Sequence, residues 1–143
     1  MNNQYSTPAN TLILLGRILA SVLFILSGFG KFTAAAATTA YFDKIGVPVP
    51  QLAYIISVAC ELGGGVLFLL GVQTRVVAVV LAVFTVATAV LAHTDFSQLA
   101  QQINFMKNLA IAGGFLAFAV LGGGEYSVDG QMARPGRKQR LTA

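Results

Sequence analysis

The sequence predicts an all-α integral membrane four-helix bundle, and three observations carry that prediction. Hydrophobic residues fill 56% of the 143 positions and charged residues only 10%, with a mean hydropathy of +0.75. Soluble domains carry about 25% charged residues, so this chain could not cover a water-facing surface with polar groups. Four separate stretches reach the roughly 20 apolar residues that a spanning helix needs. Lipid then decides their conformation, because a lone strand there would leave its backbone polar groups unpaired.

In chain order the spans are predicted at about Thr11–Phe32, Gln51–Gly71, Thr74–Ala92 and Ile103–Gly122. The connector between the second and third is only "VQTR", which forces an antiparallel hairpin. Between the first and second lies "AAAATTAYFDKIGVPVP", with room for a short interfacial helix stopped by Gly46, Pro48 and Pro50. Between the third and fourth lies "HTDFSQLAQQ", and residues 123–143 are expected to leave as a basic tail. A cleaved signal peptide is the alternative for the first run, since Ala34–Ala37 offers small residues for cleavage. The first ten residues contain no Lys or Arg, Arg17 interrupts the apolar run, and the run is long for a signal. Retention as a span is therefore expected.

Orientation follows from the basic residues in the flanks. With four spans both termini share a side, which holds Arg17, Arg75, Arg134, Arg137, Lys138 and Arg140 against Lys31, Lys44 and Lys107 opposite. The excess of basic residues on the first side predicts both termini in the cytoplasm. The pI near 9.6 does not require a nucleic-acid partner. Four of the nine basic residues sit in the last ten positions, where a juxtamembrane tail explains them. The lone Cys60 excludes an internal disulfide and a Cys-x-x-Cys motif.

The charges inside the spans are the functional candidates. A mid-bilayer glutamate costs about 3 kcal/mol to insert, and each Leu, Ile, Phe or Val returns about 0.3–0.6 kcal/mol. The second span has ten such residues between Leu52 and Leu70, which roughly offset Glu61. Glu61 should therefore face other helices, paired or protonated.

Helical spacing collects the polar groups on interior stripes. These are Arg17, Ser21, Phe24, Gly28 and Lys31 in the first span, and Ser57, Glu61, Gly64 and Phe68 in the second. The third offers Ala78, Ala82, Thr85 and Ala89, ending near His93; the fourth offers Asn104, Lys107, Asn108, Ile111 and Gly114. At about 1.5 Å per residue, Glu61 lies about 15 Å below the outer surface, Lys107 about 7 Å and Arg17 about 22 Å. Either Lys107 or Arg17 could reach Glu61 with an extended side chain. Lys107 is preferred, with Asn104 and Asn108 flanking its ammonium, because Arg17 is more easily satisfied by snorkelling to the headgroups. An ion pair of this kind either lines a functional cavity or only locks helices in register. The "GGG" at Gly63–Gly65 brings backbone close and leaves room for a ligand.

No metal is expected: His93 with Asp95 falls short of a protein-built site. His93 reads as an interfacial, pH-responsive residue, Tyr41 and Phe42 as interfacial anchors, and Cys60 as a small buried apolar residue. Haem is disfavoured, with one histidine in the chain.

The segments "GRILASVLFILSGFGKF", "YFDKIGVPVP", "ELGGGVLFLLGVQTR", "AH" and "FMKNLAIAGG", in that order along nearly the whole chain, resemble the DoxX family of small four-helix bacterial membrane proteins. The resemblance implies a multi-pass protein of the bacterial inner membrane. It also implies an accessory subunit or anchor for a redox partner in a quinone-linked or thiol-stress system. By position, Arg17, Lys31, Glu61, Arg75, His93, Lys107 and Asn108 match the family's polar landmarks, without a catalytic role for any. A quinone is the one cofactor that this likeness brings into view, and the cationic, glycine-lined interior would suit a carbonyl or anionic head. A self-contained enzyme is not expected, since no nucleophile–base pair, phosphate loop or dinucleotide fingerprint occurs. The alternatives are a small proton-coupled transporter, which would need a homo-oligomer to enclose a pathway, and a purely structural interaction protein.

Overall fold

A computed structural model describes residues 5–133, and among them all regular structure is helical. Helix α1 (Thr7–Thr33) opens with a proline in its first turn, where the missing N–H costs nothing. It starts four residues before the expected boundary because Pro8 sets that first turn. Ala34 breaks the chain direction, and α2 (Ala35–Lys44) follows as the short connector helix that the sequence leads one to expect.

Helix α3 (Pro50–Leu70) is the second span. Its middle, Ala59–Gly64, is a π-helical segment flanked by ordinary α-helix. α3 ends on Gly71 at φ 71°, with Val72 N–H donating to Leu67 O and Gly71 N–H to Phe68 O. That is the paired Schellman closure, which needs a residue without Cβ at the left-handed position. Helix α4 (Thr74–Ala92) returns at once, as the short connector requires. Helix α5 (Leu99–Leu121) begins one turn earlier than expected, on the polar turn holding Gln101 and Gln102. A final short helix, α6 (Val128–Met132), has Ser127 capping it through Gly130 N–H at 3.0 Å.

In the antiparallel bundle α1 lies along α3 and α4 along α5, with α4 also packed on the π segment and the last turns of α3. Phe24, Phe68, Leu81 and Phe115 fill the middle with Ala78, Ala82 and Ala112. Phe115 meets Phe24 and Phe68 edge-on, with centroids 5.1 and 5.0 Å away. Small residues on α4 let the backbones close up, the usual device where lipid offers no hydrophobic drive between helices. Large apolar side chains such as Leu19, Leu26, Val83 and Val120 point outward, while Asn10, Arg17, Ser57, Glu61 and Thr85 are buried. This inside-out distribution suits lipid as the solvent.

The predicted interior stripes hold on α1 and α4. On α3 the stripe holds at Ser57, Glu61 and Phe68, with Gly65 buried and Gly64 half-buried between them. On α5 the interior residues are Ala112 and Phe115, with Asn104, Asn108 and Ile111 half-buried, and Gly114 is exposed. The segment expected to leave as a tail from residue 123 instead folds back under the bundle as far as Ala133. The basic residues 134–140 lie outside the described residues.

Candidate functional site

Among the described residues, buried polar groups gather in a cluster toward each end of the bundle. At the end where α1 starts and α5 finishes, Arg17 is buried. Its guanidinium donates to Gly123 O and Leu69 O, both at 2.6 Å. Asp129 caps the start of α4 from across the chain, accepting from Gln73 N–H at 2.8 Å and from Thr74 N–H and Oγ1–H at 2.7 Å. Burial alone would raise the Asp129 carboxyl. The Thr74 and Gln73 donors and the Arg17 charge overcome it and hold the group below its ordinary value. Asn10 Nδ2 donates to Tyr5 O and Ser6 O, and its Oδ1 accepts from Glu125 N–H at 2.9 Å. This cluster is a lock. Nothing in the sequence pointed to Asp129 in it, since its partners are 55 residues away and the contact exists only once the chain folds back.

The other cluster lies toward the opposite end and surrounds Glu61. Lys31 Nζ donates to Glu61 Oε2 at 2.8 Å, to Oε1 at 2.9 Å and to Ser27 Oγ at 2.9 Å. The Glu61 side chain is 10% exposed and that of Lys31 25%. Gly28 makes the approach fit: a Cβ there would lie 2.5 Å from Leu62 N and 2.9 Å from Glu61 Cβ. Backbone of α1 therefore presses directly on the π segment that carries the glutamate. π segments of this kind are frequent at functional sites.

Lys107 is not the partner. It is exposed on the outside of α5, in a shallow groove with Phe96, Phe105 and Met106. Arg17 does not snorkel to the headgroups either, because two carbonyls hold it inside. Cα–Cβ bonds lean toward a helix's N-terminus, which sets the direction of each side chain along the bundle axis. α1 starts at the terminal end, so Lys31 leans down into the bundle toward Glu61, and Arg17 leans away from it toward Leu69 and Gly123. Lys107 fails for a different reason: it sits on the outer face of α5, off the side that Asn108 and Ile111 turn to the cavity.

Beside the ion pair is a cavity of about 310 Å³. Phe24, Ser27 and Lys31 from α1, Ser57 and Glu61 from α3, and Phe84, Thr85 and Thr88 from α4 line it. His93 and the α5 residues Asn108 and Ile111 complete its walls, and α2 adds Tyr41 and Phe42. Those two aromatics, expected as anchors, thus also close the site. His93 is half-buried, with Nδ1 2.7 Å from Gln101 Oε1. Asn108 faces the cavity rather than flanking Lys107, and Asn104 is half-buried outside it. Ser27 and Thr88 were missed from sequence. Ser27 stands one helical turn before Lys31, a spacing that could have revealed it.

A model of the DoxX family matches residues 12–94, more than half the chain and every helix of the cavity except α5. The chain belongs to the DoxX family. It is 44% identical over 117 residues to inner membrane protein YqjF of Escherichia coli (strain K12), covering 82% of this chain and 88% of that one. It is 38% identical over 123 residues to inner membrane protein YphA of the same strain, with the same two coverages. A shorter match of 69 residues, at 41% identity, joins 48% of this chain to 50% of a Bacillus subtilis (strain 168) protein named "Putative oxidoreductase CatD". No solved structure matches the chain. With four spans and relatives named for the inner membrane, this DoxX protein is a multi-pass inner-membrane protein. Lys31, Glu61 and His93 lie inside the family match, whereas Lys107, Asn104 and Asn108 lie beyond it.

Proposed function

We propose that this DoxX protein is an accessory subunit or anchor of a membrane redox system, and that the Lys31–Glu61 cavity holds the polar head of a quinone-type molecule. Both termini then face the cytoplasm, as the basic residues flanking the spans favour. The observation that carries the reading is the cavity itself. Its 310 Å³ falls at the small end of ligand sites, with apolar and aromatic walls around a few convergent polar groups. A relative named as an oxidoreductase supports the redox context.

Two other readings compete. A proton-coupled carrier would need a route past the ion pair. The half of the bundle below it is filled by Phe24, Phe68, Phe115 and Phe118 in edge contacts and closed by Arg17. A purely structural pair is favoured by the completeness of Lys31's hydrogen bonds. The test is mass spectrometry of protein extracted with its native lipid, compared with protein-free lipid from the same membranes. Enrichment of a quinone in the wild type, lost in Lys31→Met/Glu61→Leu, supports the proposal. Equal quinone in the protein and lipid samples overturns it in favour of the structural reading.

A further inference from the structure

Most of the strong donors around the cavity are already used within the protein. Lys31 donates twice to Glu61 and once to Ser27, which accounts for all three hydrogens of an ammonium. Thr85 donates its hydroxyl proton to Leu81 O at 2.6 Å, and Thr88 donates to Thr85 O at 2.9 Å. His93 Nδ1 lies 2.7 Å from Gln101 Oε1, so that ring nitrogen is engaged within the protein. With these donors committed, what faces the cavity is acceptors: the remaining lone pairs of the Glu61 carboxylate and two threonine oxygens. Among the residues that line the cavity, the side-chain donors outside these bonds are neutral: the Ser57 and Tyr41 hydroxyls and the Asn108 amide.

We infer that the cavity takes the reduced, hydroxyl-bearing form of an aromatic head group in preference to its oxidised, carbonyl form. A carbonyl oxygen only accepts, and beside the Glu61 carboxylate it meets a second acceptor with a negative charge. A phenolic hydroxyl donates to that carboxylate, a charge-assisted bond about twice as strong as a neutral one. Its oxygen can still accept from Ser57 or Asn108. Size fits a single substituted ring, since a cavity of about 150 Å³ is enough for benzene and this one is about 310 Å³. Phe24, Phe84, Tyr41 and Phe42 give the ring aromatic neighbours. The inference rests on the quinone-type ligand proposed above and specifies its redox state.

The probes are tetramethyl-1,4-benzoquinone and its hydroquinone, whose fully substituted rings cannot add the Cys60 thiol. Binding of each to the wild-type protein in lipid nanodiscs is measured anaerobically, with protein-free nanodiscs as the blank for partition into lipid. Hydroquinone binding at least tenfold tighter than quinone binding is the expected result. Equal affinity, or tighter quinone, overturns this inference and leaves the proposed function standing. Binding of neither form above the blank overturns both. The preference should shrink below threefold in Glu61→Gln, or in Lys31→Met/Glu61→Gln if the single variant does not fold. A tenfold preference that survives in the folded variant removes Glu61 from the explanation.

Discussion

Removing Lys31 should cost more than removing the carboxylate it neutralises. Lys31→Met keeps the length and apolar stem of the side chain but strands a Glu61 carboxylate that is 10% exposed and loses two charged hydrogen bonds. Breaking a buried pair from one side costs about 3–5 kcal/mol. Here Lys31 is 25% exposed and the glutamate can take up a proton, so about 2.5 kcal/mol is expected. Glu61→Gln leaves the lysine near the end of α1, where its long stem can carry the ammonium to the interface, at about 1 kcal/mol. The double variant Lys31→Met/Glu61→Gln buries no charge and should cost about 2 kcal/mol, less than Lys31→Met alone, giving a coupling of about 1.5 kcal/mol. That lies near the top of the range measured for polar pairs in membrane proteins, about 1.7 kcal/mol. Lys107→Met is the control, within about 0.5 kcal/mol of wild type, as for exposed residues generally. Unfolding by SDS in mixed micelles, followed by helical circular dichroism, reads all four. A double variant less stable than Lys31→Met, or a Lys107→Met loss as large as that of Lys31→Met, refutes the assignment of the pair.

Arg17→Met should free the folded-back segment 122–133 and cost about 2–4 kcal/mol, from two charged hydrogen bonds at 2.6 Å. Amide exchange there should accelerate, and Arg17→Lys should not restore it, because one ammonium cannot reproduce the planar two-pronged donor. The Asp129 carboxyl is held below its ordinary value of 3.8, so its contribution is complete above that value and is lost as pH falls through the lower folded-state one. Exchange protection at the start of α4 should accordingly weaken only below about pH 4 and be insensitive to acid in Asp129→Asn. Gly28→Ala forces a Cβ against Leu62 N and Glu61 Cβ and should cost about 1–3 kcal/mol. Gly30→Ala meets nothing within 4 Å and should be neutral or slightly stabilising, by thermal melting of both variants.

Composition and span length alone determined the medium, the number of crossings and the helical class, because lipid admits few solutions to backbone hydrogen bonding. Helical spacing also disclosed that Arg17, Ser21, Phe24 and Gly28 face inward, along with Glu61 and the small-residue face of α4. It could not select the partner of Glu61. Depth counted along straight helices weighed only Lys107 and Arg17 and ignored the direction in which side chains lean. The axial lean of α1 side chains carries Lys31 down to Glu61, while the rotation of α5 leaves Lys107 on its outer face, and together these decided the pair. The π segment was equally hidden, and so was the α1 backbone lying against Glu61 and Leu62 at Gly28, a contact between residues more than thirty positions apart. Asp129 reaches Thr74 for the same kind of reason. Periodicity reports which way a residue faces on its own helix, and only the assembled bundle decides what it meets.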